Sequence, residues 1–236
     1  MIQFYAPDIE TSLTLPESDS GHCIRVLRMG LGDRLSVVDG RGHRFICEII
    51  GDHPKHVSVA IIEKEDVTPV WPNSITLMVA PTKNNDRMEW LVEKLVEIGV
   101  NRIVPVRCRR SERKEIKRDR LVKIAVSAMK QSLKATLPDI TEMMPLKEAV
   151  ETFRAPQQFV GYCDETINRA LLSRTYKAGH DVVILIGPEG DFAPEEIDFL
   201  LGSGYTAVTM GDNRLRTETA ALVACDTCHI INQLTL

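Results

Sequence analysis

Between Arg34 and Ile62 apolar and polar side chains alternate with a period of two, and beyond residue 70 the rhythm changes to short apolar runs separated by stretches of helical period. The first rhythm predicts half-buried strands joined by hairpins: Arg34 to Val38, Phe45 to Ile50 and Val57 to Ile62, with turn residues in Asp39-Gly40-Arg41-Gly42 and Gly51 to His56. Val57, Val59 and Ile61 should face one side and Ser58 and Ala60 the other, because successive side chains of a strand point to opposite faces.

Pro69 and Pro72 interrupt regular structure just before the change of rhythm. Beyond them the pattern predicts a strand at Ile75 to Ala80, then a helix at Asp86 to Ile98 with Met88, Leu91, Val92, Leu95 and Ile98 on one stripe and Gly99 as its stop. A strand at Arg102 to Val106 and a long basic helix ending before Pro138 follow, then a strand at Gln158 to Tyr162 and a helix from Glu165. The rest reads as a strand at Val182 to Ile186, a helix from Pro194, a strand at Thr206 to Met210 and a helix from about Thr217. Val182 to Ile186 is apolar at every position, as expected of a central strand in a parallel sheet covered on both faces. The expected fold class is α/β, with a small β domain at 1–70 and a larger α/β domain with a mostly parallel sheet at 71–236.

Composition sharpens this picture in two places. A chain of 236 residues with 44% hydrophobic content can bury a substantial core. The formal charge of -4 is unevenly spread: between Arg102 and Lys134 twelve basic residues stand against three acidic ones, and Arg25, Arg28, Arg34, Arg41 and Arg44 form a second cluster. Either stretch suits a polyanion or a plain solvated face. The amino terminus lacks a basic region followed by an apolar run, and no segment approaches the roughly 20 apolar residues of a membrane span, so a cytoplasmic location with reduced cysteines is expected.

Ligands of open parallel sheets sit at the carboxyl ends of strands, and two strand ends here carry unusual loops. Gly187-Pro188-Glu189-Gly190-Asp191-Phe192 lacks the lysine of a phosphate-binding loop and the three glycines of a dinucleotide site, so as a pattern it is also an ordinary strand-to-helix turn. Gly211 to Ala220 places Arg214, Arg216 and Glu218 beside Thr217 and Thr219 at a helix start. Capping accounts for Thr217 and Glu218 but not for two arginines in a short connection between buried elements. Cys225-Asp226-Thr227-Cys228-His229 matches a c-type haem attachment pattern, yet it continues an apolar helix in which cysteine packs as a small hydrophobe, and no second pair of metal ligands stands at suitable spacing. The histidines His22, His43, His53 and His56 read as surface or RNA-facing, without a catalytic triad.

Taken in order, these residues resemble the RsmE-type ribosomal RNA uridine N3-methyltransferases of the knotted SPOUT class. The resemblance rests on His22 with Arg25-Val26-Leu27-Arg28 and Gly32-Asp33, Lys83, Glu97-Ile98-Gly99, Arg118 to Gln131-Ser132 with Pro138, Gly187 to Gly190, and Leu215 to Ala220. It implies a PUA-like β-barrel domain for RNA recognition, a trefoil-knotted methyltransferase domain, a homodimer, S-adenosyl-L-methionine as cofactor, small-subunit ribosomal RNA or the assembled subunit as partner, and no metal. Carried over by position, the cofactor would be held by Leu185, Gly187, Pro188, Glu189, Gly190, Met210, Gly211, Leu215 and Tyr162. The expected catalytic residues are Arg216, Arg214 and Glu218, the last as an orienter of Arg216 or as proton acceptor. Arg25, Arg28, Lys83, Arg109, Arg110 and Arg113 are the expected RNA contacts. The chain departs from the family pattern at Asp191, where a second glycine is usual, at Lys130, where an acid is common, and at Lys134, where arginine is usual. A ribose 2'-O-methyltransferase of the same class and a non-catalytic RNA-binding ribosome assembly factor are the alternative readings.

Overall fold

The computed structural model describes residues 2–163 and 168–235. The chain packs as two compact units, Met1–Val70 with Val126–Leu137, and Trp71–Ala125 with Pro138–Leu236.

The first unit contains β1 (Gln3–Tyr5), α1 (Ile9–Ser12), α2 (Glu17–Gly21) continued by a π-helical turn at His22–Val26, β2 (Arg34–Val38), β3 (His43–His53) and β4 (His56–Asp66). The strands form a sheet in that order, with β1 parallel to β2 and the remaining pairs antiparallel. The period-two pattern points Phe45, Cys47 and Ile49 of β3 and Val57 and Val59 of β4 into a core with Phe4, Ile9 and Leu35. The strands run further than the turn residues predict: β3 continues through Gly51 to His53 across a register shift between Ile49 and Gly51 that keeps its partner in step. Segment 126–137 packs within this unit although its sequence continues a helix begun in the other one. Lys130 Nζ lies 2.9 Å from Asp19, and Gln3 donates to the Lys134 carbonyl at 2.8 Å. Lys130, a departure from the family pattern, therefore has a carboxylate partner in the structure.

The second unit comprises β5 (Ile75–Val79), α3 (Asn85–Ile98), β6 (Arg102–Arg107), the start of α4 (Arg118–Gln131), β7 (Asp139–Ile140), β8 (Met144–Pro145), α5 (Leu146–Thr152), β9 (Gln157–Gly161), β10 (Ala170–Leu171), α6 (Leu172–Thr175), β11 (Val182–Ile186), α7 (Pro194–Gly202), β12 (Thr206–Thr209) and α8 (Thr217–Thr235). The sheet runs β10-β12-β9-β11-β5-β6-β7 with β8 beside β6, and all its pairings are parallel. β5 and β11, buried at every position, lie at its centre. Leu146, Ala149 and Val150 of α5 and Ile197 and Leu200 of α7 pack with Met78, Val104, Val183 and Leu185, while α8 packs across β5 and β11 and against α3. Helix α3 begins where the Asn84 side chain accepts the Asp86 amide at 2.9 Å and ends at Gly99, whose φ of 115° an L side chain would resist. The helix expected from Glu165 begins outside the described residues. The short elements β7, β8, α5, β10 and α6 had no signal in the pattern, since they are too brief to display a period.

Candidate functional site

The strand order places β9 between β11 and β12, so the connections leaving the carboxyl ends of these three strands converge. They enclose a cavity of about 1030 Å³, walled by Gly161 to Cys163 after β9, Ile186 to Glu189 and Asp191 after β11, and Val208 to Thr217 with Ala220 at the β12–α8 connection. Thr217 Oγ1 donates to the Gly187 carbonyl at 3.1 Å and locks two of the loops together. The threonine expected as a plain helix cap therefore ties the site.

Close approach explains the first glycine. A Cβ on Gly187 would stand 2.7 Å from Cε2 of Phe192, a ring that is itself buried in the core. Two residues later Glu189 Oε1 accepts the Lys83 amide at 2.9 Å. Asp191, in place of the usual glycine, adopts φ 59°, the left-handed region that aspartate tolerates better than most residues, and its Oδ1 accepts the Phe192 amide at 2.9 Å. The departure preserves the turn and adds a carboxylate to the cavity wall. Arg110 fastens the same loop from outside by donating to the carbonyls of Gly190 and Phe192, each at 3.1 Å.

Of the cofactor residues expected from sequence, Tyr162, Gly187, Pro188, Glu189, Met210, Gly211 and Leu215 line the cavity. Leu185 does not: it is buried at the centre of β11 with its side chain in the core. Gly190 stands against Arg110 instead. Arg214 and Arg216 both line the cavity and are exposed to it. Glu218 is 6% exposed and sits behind the wall, with Oε1 3.7 Å from Nε of Arg87 and Oε2 without a hydrogen-bond partner. The residue beside it is Arg87, in place of the expected Arg216. Arg87, which reaches the cavity from α3, and Arg169 are cavity residues that the sequence did not single out. No local motif marks them, and a period-based reading treats Arg87 as the polar side of an amphipathic helix. Cys163 also lines the cavity; burial pushes its thiol upward, and Asp191 adds to the effect.

The expected RNA contacts have a different occupation in the structure. Arg113 donates to the Thr82 carbonyl at 3.1 Å, Arg110 holds the loop described above, Lys83 pairs with Glu112 at 2.8 Å, and Arg109 is ion-paired with Glu195. Arg25 and Arg28 are exposed in the first unit, Arg28 at φ 56°. Cys225 and Cys228 are buried within α8, and His229 accepts from Trp71 Nε1 at 2.7 Å, which is the packing expected of the plain helix reading.

The family model for the RNA methyltransferase domain matches residues 69–229, and that for the RNA methyltransferase PUA domain matches residues 15–62. A Porphyromonas gingivalis protein described as a probable rRNA-methyltransferase is 46% identical, with a TM-score of 0.95 over 100% of both chains. The ribosomal RNA small subunit methyltransferase E of Neisseria gonorrhoeae, solved bound to S-adenosyl methionine, is 26% identical with a TM-score of 0.85, covering 98% of each chain. The protein of the same name from Rickettsia conorii is 26% identical over 84% of this chain and 81% of its own length. A parallel sheet preceded by a PUA-like β unit thus has its counterpart in known proteins, and the chain belongs to the RNA methyltransferase family of the small-subunit methyltransferase E type.

Proposed function

We propose that the chain methylates N3 of a specific uridine in small-subunit ribosomal RNA with S-adenosyl-L-methionine as donor, acting as a cytoplasmic homodimer. The observation that carries the reading is the cavity at the ends of β9, β11 and β12. Its volume of about 1030 Å³ lies at the upper end of the range for small-molecule and cofactor sites. Its walls fit the cofactor: Tyr162, Ile186, Val208, Met210 and Leu215 offer apolar surface to an adenine, and Glu189 and Asp191 bring negative charge for its ammonium and sulfonium groups. The cofactor supplies an electrophilic methyl group.

What remains for the protein is to hold the base in line and to manage one proton. As N3 takes the methyl group it must lose its hydrogen, and negative charge develops on the flanking carbonyl oxygens. Arg214 and Arg216, which line the cavity, bring positive charge to stabilise it. Glu218 is set behind the wall, so its task is to hold the Arg87 guanidinium at the cavity edge, and the N3 proton leaves to solvent water through the open cavity. The target base has to be unpaired to present its reacting edge.

The test is transfer of labelled methyl from S-adenosylmethionine to small subunits lacking the modification and to the corresponding naked RNA, with the product mapped by nuclease digestion and mass spectrometry. Label on N3 of one uridine supports the reading. Label on a ribose 2'-oxygen establishes the alternative ribose methyltransferase, and cofactor binding without transfer establishes a non-catalytic assembly factor.

A further inference from the structure

A second cleft, of about 500 Å³, opens at the carboxyl end of β6. Its floor is apolar, formed by Leu146, Phe199 and the buried Cys108. Around it stand Arg107, Arg109, Lys114 and Lys147, with Glu195 and Glu196 as the opposing charges. Both carboxylates are already engaged within the protein. Glu195 is ion-paired with Arg109, and Glu196 accepts the Arg109 amide at 2.7 Å through one oxygen and the Ala193 amide at 2.9 Å through the other. Ser111 Oγ accepts the Cys108 amide at 3.0 Å and so holds the chain turn at the cleft rim. Among the described residues, the side chains of Arg107, Lys114 and Lys147 have neither an ion pair nor a hydrogen bond, and all three are exposed. Three uncompensated cations around an apolar floor suit an anionic ligand that also carries apolar surface.

The cleft is also linked to the candidate active site. Arg109 and Arg110 are neighbours, and while Arg109 belongs to the cleft, Arg110 holds the carbonyls of Gly190 and Phe192. Helix α7, which leaves that same loop, contributes Glu195, Glu196 and Phe199 to the cleft wall.

We infer that this cleft docks the sugar-phosphate backbone of the RNA substrate, with Arg107, Lys114 and Lys147 contacting phosphates and Leu146 and Phe199 lying under a ribose or base. The inference depends on the proposed function only in taking RNA as the polyanion. It moves RNA contact within the basic segment from Arg109, Arg110 and Arg113, whose side chains are occupied, to the three cations beside them.

The experiment measures affinity for a fluorescein-labelled single-stranded RNA by anisotropy over a range of potassium chloride. The full-length protein is compared with the triple variant Arg107→Gln, Lys114→Gln, Lys147→Gln and with a control triple of equal charge change, Arg154→Gln, Arg174→Gln, Lys177→Gln. Each lost phosphate contact should lower the log–log salt slope by about 0.7, so the cleft triple should flatten it by about 2 and weaken binding at low salt by about 10-fold or more. The control should leave the slope within about 0.7 of the parent. S-adenosylmethionine affinity by calorimetry should be unchanged in both, which verifies folding, and the single variants Lys114→Gln and Lys147→Gln give the same direction if the triple fails to fold. An unchanged slope in the cleft variants, an equal loss in the control, or a parent protein without salt-dependent RNA affinity overturns the inference. Methyl transfer is assayed separately, so loss of the cleft contacts does not decide the reaction, and absence of transfer does not decide the cleft.

Discussion

Oε1 of Glu218 lies 3.7 Å from Nε of Arg87, joining the first turn of α8 to α3 across 131 positions of sequence. A carboxylate this deeply buried with its second oxygen unpartnered is tolerable only beside a cation. Arg87→Met should therefore cost about 1–2 kcal/mol of stability, less than a fully buried pair because the guanidinium is partly exposed. It should slow methyl transfer by about 10-fold or more, with cofactor affinity little changed. Urea unfolding, calorimetry and single-turnover transfer check the three parts, and a variant with parental turnover would remove Arg87 from the site.

Gly187 and Gly161 both line the cavity, yet they should respond differently to alanine. At Gly187 the new Cβ meets ring atoms of buried Phe192 at 2.7, 3.0 and 3.1 Å, whereas at Gly161 the 2.7 Å contact is with Cδ1 at the flexible end of Ile186. Gly187→Ala is expected to lose about 1–3 kcal/mol and most cofactor affinity, and Gly161→Ala less than about 1 kcal/mol. Thermal melts with and without S-adenosylmethionine distinguish them.

Asp191 holds φ 59° and caps the Phe192 amide. Asp191→Gly removes the backbone cost together with the hydrogen bonds from the Phe192 and Cys163 amides, so its stability should stay within about 1 kcal/mol of the parent. Asp191→Ala loses the same hydrogen bonds while keeping the strained angle and should be the less stable variant by about 1 kcal/mol. The order of the two melting temperatures is the measurement.

Arg110 holds the loop at Gly190 and Phe192 through two carbonyls. Arg110→Ala should weaken S-adenosylmethionine binding several-fold, since two carbonyls lose their donor, and leave the salt dependence of RNA binding as it was. A flattened salt slope with intact cofactor affinity would restore the phosphate-contact reading.

Buried thiols make the fold sensitive to alkali. Burial pushes Cys47 to about 11 and Cys228 to about 12, and raises Cys108 and Cys225 as well. The unfolded chain loses these protons first, near the ordinary thiol value of 9.0, so stability is full below that pH and falls as pH rises toward 11 and 12. Each linked thiol contributes at most about 1.4 kcal/mol per pH unit. Urea midpoints from pH 7 to 11 should decline from about pH 9, less steeply in Cys228→Ala. At neutral pH Cys163, exposed where the other five thiols are buried, should be the first to react with a thiol reagent in the folded protein, though more slowly than a free thiol because its proton is held more tightly.

The sequence by itself determined the elements whose periods are long enough to register. The alternation of Phe45, Cys47 and Ile49 fixes a face of β3, the stripe from Met88 to Leu95 fixes the buried side of α3, and the uninterrupted Val182 to Ile186 fixes a central parallel strand. It also marked the two loops that build the cavity, because two glycines beside a proline and two arginines beside a helix start are unusual compositions for a connection. Tertiary structure alone decided which side chains those loops bring together. Strand order, which no local period encodes, sets β9 between β11 and β12 and thereby joins Tyr162 to Gly187 and Met210. It turned Leu185 into the core, gave Glu218 to Arg87, and committed Arg109, Arg110 and Arg113 to carboxylates and carbonyls. A charge count along the chain records how many cations a segment has. Only the folded arrangement records which of them already have a partner, because ion pairs and hydrogen bonds form between groups close in space, whatever their separation in sequence.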